Sequence, residues 1–308
     1  VSLALAELWR AWGVQPDAVV GHSMGEIAAA CVAGSLSLAD GARLVAERSR
    51  IARAHAGGAM AVVELALPDA LAALADLADR LVVGVHNGPR ECVLSGDPDA
   101  LTVVLTRLEA RGVFCRRVRV DYASHSPHMD AIREPLLAAL AGLTPRPGAV
   151  PMLSTLRVDW QPGEAMGPAY WAANIREPVR FAPAIERLLV DAPADHAWRD
   201  RPRIFLEQSP HPLLLTAIRD LLPATTGHRA LGSLRRDEDE RSCLLTSAAE
   251  LFAAGLDLDL AALHPDGGRV VSLPPPAWQR TPHWFTASPT PSAPARPRGP
   301  GHPILGLA

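Results

Sequence analysis

The spacing of apolar and polar residues divides the start of the chain into short alternating elements. Residues 1–12 carry apolar side chains at helical spacing, whereas residues 17–21 form a short, mainly apolar run that is typical of a buried strand. Small residues from Ser23 to Ala33 favour another helix. The sequence therefore predicts helix, strand, sharp turn and helix, with Ser23 at the turn.

An amphipathic helix is predicted next, from Ser37 to about His55, and it contains Arg48. Ser37 is a favourable N-cap residue, and Asp40 adds a negative charge to the first turn. The pair Gly57-Gly58 then ends the helix.

Between residues 59 and 121 the pattern changes to strand, helix, strand, strand, helix and strand. This βαββαβ order is that of a ferredoxin-like unit, which we expect to be inserted into a larger core. The fold class predicted is α/β, with an α/β-hydrolase-like core that has a parallel sheet and with an inserted ferredoxin-like (βαββαβ) subdomain.

Composition and charge narrow the classes of partner. The 308 residues are 48% hydrophobic, and a formal net charge of −3 gives no reason to expect a nucleic-acid partner. No apolar run approaches the roughly 18 residues that a membrane span needs. The four cysteines have neither disulfide-framework nor metal-site spacing. We therefore expect a cytoplasmic protein that uses no metal and contacts no membrane.

The turn at Ser23 has the spacing of a nucleophile elbow, Gly21-x-Ser23-x-Gly25, between a strand and a helix. The glycines allow the tight turn, and the backbone N–H of Met24 is left to face an oxyanion. The bare pattern also occurs by chance in glycine-rich turns, so the flanking strand and helix matter to the interpretation.

A serine hydroxyl needs a base to act as a nucleophile. His125 lies where a predicted strand ends and a helix begins, which is where a doubly wound α/β core places functional groups. His128, one turn later, is the rival candidate, and spacing alone does not choose between them.

A series of motifs begins with Gly-His-Ser-Met-Gly-Glu at residues 21–26. Further motifs follow through most of the chain, at Arg48-Ser-Arg50, Asn87-Gly-Pro89, Cys92-Val-Leu-Ser-Gly96, Tyr122-Ala-Ser-His125, Tyr170-Trp-Ala-Ala-Asn174, Ser209-Pro-His-Pro212 and Trp278-Gln-Arg280. Together and in this order, these motifs resemble the acyltransferase domain of a modular type I polyketide synthase.

The resemblance implies a role for individual residues. Ser23 would be the nucleophile and His125 the general base, then acid. Arg48 would hold the free carboxylate of the acyl group with its planar fork of donors. The Met24 N–H would form part of the oxyanion hole, and the backbone carbonyl of Asn174 would orient His125.

Further residues are placed near the site by the same resemblance. His22 lies beside the nucleophile and His211 in the Ser-Pro-His-Pro motif, neither with an assigned chemical step. Tyr122 and Ser124 resemble the methylmalonyl-selective signature, since the small Ser124 would leave room for an α-methyl group. Met24 matches neither selectivity class, and a single methyl group is typically worth only about 1–3 kcal/mol of discrimination.

The implied reaction transfers a (methyl)malonyl extender unit from coenzyme A to the phosphopantetheine thiol of an acyl carrier protein, through an acyl group on Ser23. No tightly bound cofactor is expected, since the coenzyme A thioester is a substrate. The carrier protein, and ketosynthase and dehydratase domains of the same polypeptide, would be its partners in polyketide biosynthesis.

The predicted domains are a first core part at 1–57, the ferredoxin-like subdomain at 58–122, a second core part at 123–255, a linker at 256–300 and the start of a dehydratase-like domain at 301–308. The resemblance also implies an upstream strand with a Gly-Gln-Gly turn that supplies a second oxyanion-hole donor. Without it, we expect weak activity, since one such donor is typically worth about a hundredfold in rate or more.

Three other functions remain open from the sequence. A malonyl-selective acyltransferase would use the same residues on a smaller extender. A thioesterase-like or lipase-like serine hydrolase would use the same Ser23–His125 pair with water as acceptor. The non-enzymatic alternative is an inactive scaffold fragment.

Overall fold

The computed structural model describes residues 1–193, 201–224, 226–265, 267, 269, 271–282 and 284. The chain divides into two compact units, Val1–Pro265 and Asp266–Ala308. In the second unit the described residues form neither helix nor strand, and Trp278 and Trp284 are exposed. The predicted dehydratase-like start at 301–308 lies outside the described residues.

The N-terminal elements follow the predicted order: α1 (Ser2–Ala11), β1 (Val19–Val20), α2 (Gly25–Ala33) and α3 (Leu38–Arg53). Helix α2 ends at Gly34, whose φ of 83° is the left-handed conformation that glycine adopts readily. Helix α3 begins at the predicted cap, because the Ser37 hydroxyl accepts the backbone N–H of Asp40 at 3.0 Å.

The βαββαβ segment comprises β2 (Ala59–Val63), α4 (Leu67–Ala73), a short 3-10 helix (Ala75–Leu77), β3 (Leu81–Gly88), β4 (Glu91–Gly96), α5 (Pro98–Glu109) and β5 (Cys115–Arg117). Helix α5 starts at Pro98, and the Asp97 carboxylate accepts the N–H groups of Asp99 and Ala100. Its apolar face packs on the sheet around the fully buried Leu94 and Leu101.

The remaining elements are a 3-10 helix (Pro127–Ile132), α6 (Arg133–Ala139), β6 (Met152–Ser154), β7 (Asp159–Trp160), a 3-10 helix (Gly163–Ala165), α7 (Pro168–Arg176), β8 (Val179–Arg180), α8 (Phe181–Val190), β9 (Ile204–Glu207), α9 (Leu215–Leu221), β10 (Arg229–Gly232), α10 (Glu240–Ala253) and α11 (Leu260–Leu263). Within the described residues, none of the helices combines the length and the apolar character that crossing a bilayer requires.

Three sheets are formed by these strands. The largest has the order β5-β2-β4-β3-β8, in which β2 to β5 pair antiparallel and β8 adds to β3 in parallel at Val85 and Val179. The smaller sheets contain the parallel pairs β1–β6 and β9–β10. The predicted α/β fold is confirmed, and β8 connects the ferredoxin-like sheet to the rest of the first unit.

One hydrophobic cluster joins α1 to the end of the first unit. Trp9 packs with Leu251, Leu258 and Leu263, and its indole N–H donates to the Ser233 hydroxyl at 3.0 Å. The compact unit therefore extends to Pro265, beyond the linker start predicted at residue 256, because leucines after that point are buried.

Candidate active site

Ser23 occupies a strained turn between β1 and α2. Its φ is 53°, in a region that residues other than glycine rarely adopt. A Cβ at Gly21 would lie 2.2 Å from the backbone nitrogen of Glu26, so only glycine fits the turn there. A Cβ at Gly25 would meet no described atom within 4 Å, so the second glycine is not required sterically.

His125 faces Ser23 from the segment that follows β5. The Ser23 Oγ lies 2.7 Å from His125 Nε2, and His125 Nδ1 lies 2.9 Å from the carbonyl oxygen of Glu177. Because a carbonyl can only accept, Nδ1 carries the ring proton, and Nε2 is free to accept the proton of the Ser23 hydroxyl. The backbone carbonyl thus fixes the tautomer that a general base needs.

The imidazole of His125 is held in its neutral form. Burial, and to a smaller extent the nearby charge of Arg48, lower its pKa to about 3, while the hydrogen bond to Glu177 acts in the opposite direction. His125 is therefore an unprotonated base throughout the physiological pH range.

Arg48 places a buried positive charge beside the serine. Its Nη2 donates to Ser23 Oγ at 3.1 Å, and its Nη1 donates to Asn174 Oδ1 at 2.7 Å. Burial lowers the pKa of the guanidinium to about 10, while Tyr122 and Glu26 raise it. The side chain consequently stays charged at neutral pH, and it is available to a negative group bound near Ser23.

The start of α2 supplies a backbone donor next to Ser23. The N–H of Gly25 donates to the His22 carbonyl and that of Glu26 to the Ser23 carbonyl. Within the described part of the chain, no acceptor receives the N–H of Met24. This N–H and the positive end of the helix dipole are placed to stabilise negative charge on an oxygen bound near Ser23.

Four groups therefore meet at this site: a serine hydroxyl, an oriented base, a buried cation and a free backbone N–H. Together they can perform acyl transfer. A profile of the family described as "Acyl transferase domain" matches residues 1–258. The chain belongs to this acyltransferase family. It is therefore an acyltransferase, the enzyme class that the sequence predicts.

The curated relatives of this acyltransferase are polyketide synthases. It is 45% identical to the polyketide synthase GfsB of Streptomyces halstedii over 316 aligned residues. This alignment covers 100% of this chain and 6% of GfsB. The spectinabilin polyketide synthase system protein NorC of Streptomyces orinoci is 46% identical over 95% of this chain and 12% of its own length. The chain spans a small part of each.

A solved structure shows the same architecture. The acyltransferase domain from module 8 of the salinomycin polyketide synthase superposes with a TM-score of 0.78 and 40% identity, over 85% of this chain and 60% of that one. The predicted membership among polyketide synthase acyltransferase domains is confirmed, together with the fold class.

The structure corrects the residue predicted to orient His125. The resemblance implied that the backbone carbonyl of Asn174 orients His125, but the carbonyl that accepts from His125 Nδ1 belongs to Glu177. Helix α7 ends at Arg176, and Glu177 is extended with ψ 156°, because a residue before proline, here Pro178, is driven out of helical geometry. Its carbonyl is thereby free to turn toward the imidazole, and the proline was the available sequence signal.

Asn174 reaches the site through its side chain instead. Its amide oxygen accepts from Arg48, and its Nδ2 donates to Glu26 Oε2 at 2.8 Å. Glu26 is thus two hydrogen bonds from the guanidinium.

The two further histidines make different contacts. The Nε2 of His22 bonds to Asn87 Oδ1 at 2.8 Å, and its ring packs edge-on against Phe181. Burial lowers the pKa of His22. His211 Nδ1 accepts the backbone N–H of Arg236 at 3.2 Å, which ties together two loops.

Tyr122 and Ser124, which the resemblance associates with selectivity, lie on the segment that leads to His125. Ser124 is buried, and its hydroxyl donates to the sulfur of Met60 at 3.2 Å. Tyr122 is half-buried and is close enough to Arg48 to raise the pKa of the guanidinium. His128 lies one turn beyond His125, and its N–H donates to the Ser126 hydroxyl.

Proposed function

We propose that this acyltransferase loads a carboxylated acyl extender unit from coenzyme A onto Ser23 and passes it to the pantetheine thiol of an acyl carrier protein. The observation that carries the proposal is the 2.7 Å contact between Ser23 Oγ and Nε2 of His125, since the Glu177 carbonyl fixes the tautomer of that imidazole with Nε2 free to accept a proton. The buried Arg48, 3.1 Å from the same oxygen, supports an anionic acyl group.

In the first half-reaction, Ser23 Oγ attacks the thioester carbonyl while His125 Nε2 takes the hydroxyl proton. The oxyanion of the tetrahedral intermediate lies near the Met24 N–H. The carbon–sulfur bond then breaks, and the proton on Nε2 passes to the departing coenzyme A thiolate. The products are free coenzyme A and an acyl ester on Ser23.

The second half-reaction runs the same steps with another thiol. His125 takes the proton of the pantetheine thiol, and the thiolate attacks the ester carbonyl. Collapse of the intermediate breaks the bond to Ser23 Oγ, which recovers the proton from Nε2. Arg48 holds the acyl carboxylate through both steps, so the extender keeps its place while the thiols exchange.

The extender we propose is methylmalonyl, with malonyl as the alternative. The support is the signature Tyr122-Ala-Ser124-His125 and the small volume of Ser124, which lies in the segment that leads to the base. A bulkier residue at 124 would fill space beside Met60, whose sulfur is 3.2 Å from the serine hydroxyl.

We further propose that the chain works as one domain of a cytoplasmic synthase polypeptide, here called the parent synthase. Its relatives GfsB and NorC, of which it spans 6% and 12%, support this. A carrier protein, together with ketosynthase and dehydratase domains of the same polypeptide, would be its partners.

The proposal is tested by peptide mass spectrometry of Ser23 after the parent synthase is mixed with methylmalonyl-CoA or malonyl-CoA. We expect an acyl adduct on Ser23, formed faster from methylmalonyl-CoA. His125→Ala should slow its formation by about a hundredfold to ten-thousandfold. The matched control, His128→Ala, should leave the rate within about threefold. An unmodified Ser23 with both donors would refute the proposal, while faster malonyl loading would change only the extender.

A further inference from the structure

Arg48 lies at the end of a line of buried polar side chains that the proposed reaction leaves unused. Asn174 contacts Arg48 at 2.7 Å and Glu26 at 2.8 Å, and all three are at least nine-tenths buried. We propose that Glu26 and Asn174 are positioning residues, which hold the guanidinium of Arg48 in the orientation that receives the acyl carboxylate. This inference rests on the role of Arg48 in the proposed function.

The hydrogen bonds of the Asn174 amide permit one orientation only. A guanidinium has donors and no acceptor, whereas a carboxylate accepts. The amide oxygen must therefore face Arg48 and the amide nitrogen must face Glu26. A flipped amide would direct its N–H groups at the guanidinium and its oxygen at the carboxylate, and both contacts would be repulsive.

Glu26 is itself fixed from several directions. Its Oε1 accepts the backbone N–H of Thr155 at 2.6 Å and lies 2.9 Å from the threonine hydroxyl. Its Oε2 accepts from the Tyr170 hydroxyl at 2.7 Å as well as from Asn174. The phenol stays protonated as a donor, because burial and the Glu26 charge raise the pKa of Tyr170. The carboxylate is thus a rigid anchor in the first turn of α2.

The geometry divides the guanidinium into two working sides. The Nη1 side is occupied by Asn174, while Nη2 points at Ser23 Oγ, where the acyl group arrives. Because Arg side chains have several rotatable bonds, anchoring one side restricts the orientations of the other. The negative charge of Glu26 also favours the charged form of the buried guanidinium.

The test compares donors with and without the carboxylate in the parent synthase. Methylmalonyl-CoA and propionyl-CoA share the acyl skeleton apart from the carboxylate, so the ratio of their rates of Ser23 acylation measures carboxylate recognition. We expect Asn174→Ala to lower this ratio at least about tenfold, because methylmalonyl transfer should slow more than propionyl transfer does. Asn174→Leu keeps the side-chain volume and should lower the ratio equally.

Matched variants separate positioning from a structural role. Tyr170→Phe removes another hydrogen bond to the same Glu26 oxygen, so it should lower the melting temperature but keep the ratio. Glu26→Gln should lower the ratio, since an amide has one oxygen and cannot accept at both positions, as Oε1 does from the Thr155 N–H and Oε2 does from Asn174. An unchanged ratio in folded Asn174→Ala and Asn174→Leu, or an equal fall in Tyr170→Phe, would overturn the inference.

Arg48→Ala distinguishes this inference from the proposed function. We expect Arg48→Ala to lower the ratio at least as far as the Asn174 variants do. If Arg48→Ala leaves the ratio unchanged, Arg48 does not read the carboxylate, and the positioning role fails together with the role of Arg48, whereas acyl transfer through Ser23 still stands or falls on the Ser23 adduct. If Arg48→Ala lowers the ratio and the Asn174 variants do not, only the positioning role fails.

Discussion

At the scale of single residues, the geometry at Ser23 depends on groups whose own hydrogen bonds allow only one tautomer or one orientation. The Glu177 carbonyl fixes the tautomer of His125, and the Asn174 amide faces Arg48 in the one orientation that its partners allow. The neutral His125 therefore coexists with a charged Arg48, both directed at the same hydroxyl.

A residue-scale prediction concerns pH and stability. The pKa of His125 is about 3 in the folded chain, against an ordinary value of 6.5. As the pH falls, the unfolded chain therefore binds a proton on this histidine before the folded chain does. The contribution of the neutral imidazole to the free energy of unfolding is complete above pH 6.5 and is lost as the pH falls toward 3. We expect the free energy of unfolding to fall by up to about 1.4 kcal/mol per pH unit for this group in that range.

Denaturant titrations at pH 7, 6 and 5 would measure this dependence. His125→Asn removes the group and should give a shallower fall than the wild type, whereas His22, whose pKa is also lowered, contributes with the same sign in both proteins. Equal slopes in the two proteins would contradict the burial of a neutral His125.

The residues at the site were predictable to the extent that side-chain type shows their role. The motifs pointed to Ser23, His125 and Arg48, and the structure brings their side chains together. The Glu177 carbonyl that orients His125 was not predicted, because every residue has a backbone carbonyl. Which carbonyl faces the imidazole depends on where helix α7 ends. The side chain of Asn174 was missed because its two partners lie far away in sequence.

At the scale of elements, the elbow depends on one of its two motif glycines. A Cβ at Gly21 would lie 2.2 Å from the nitrogen of Glu26, and this backbone atom cannot move aside as a flexible side chain could. Gly25 begins α2 with open space around the missing Cβ. The G-x-S-x-G spacing is therefore only partly a steric requirement in this chain.

We accordingly predict opposite results for two alanine substitutions within the elbow. Gly21→Ala should lower the free energy of unfolding by more than about 2 kcal/mol, since the turn must shift. Gly25→Ala should leave it unchanged or raise it by up to about 1 kcal/mol, because alanine favours the helix. Denaturant unfolding of both variants measures this, and a loss for Gly25→Ala as large as that for Gly21→Ala would contradict the difference.

Local patterns predicted most elements in the first half of the chain, and they missed the pairing across distance. The Ser37 cap and the βαββαβ order were legible from turn residues and apolar spacing. Strand β8 has only two residues and pairs with β3, which lies far earlier in the chain. Its register depends on tertiary packing, which no local pattern contains.

At the scale of the whole molecule, the catalytic groups come from segments that are distant in sequence. Ser23 follows β1, Arg48 lies in α3, and His125 follows the ferredoxin-like strands. Glu177 precedes β8, which pairs with one of those strands. The folded first unit, rather than any one motif, therefore brings the nucleophile and base together.

The central claim is that Ser23 carries an acyl group from one thiol to another, and a chase experiment tests it most directly. The parent synthase would be loaded with radiolabelled methylmalonyl-CoA, freed of coenzyme A, and mixed with a carrier protein that bears phosphopantetheine. We predict that label leaves Ser23 and appears on the pantetheine thiol. Label that is released as free acid at the same rate with and without the carrier would contradict the account and identify a hydrolase.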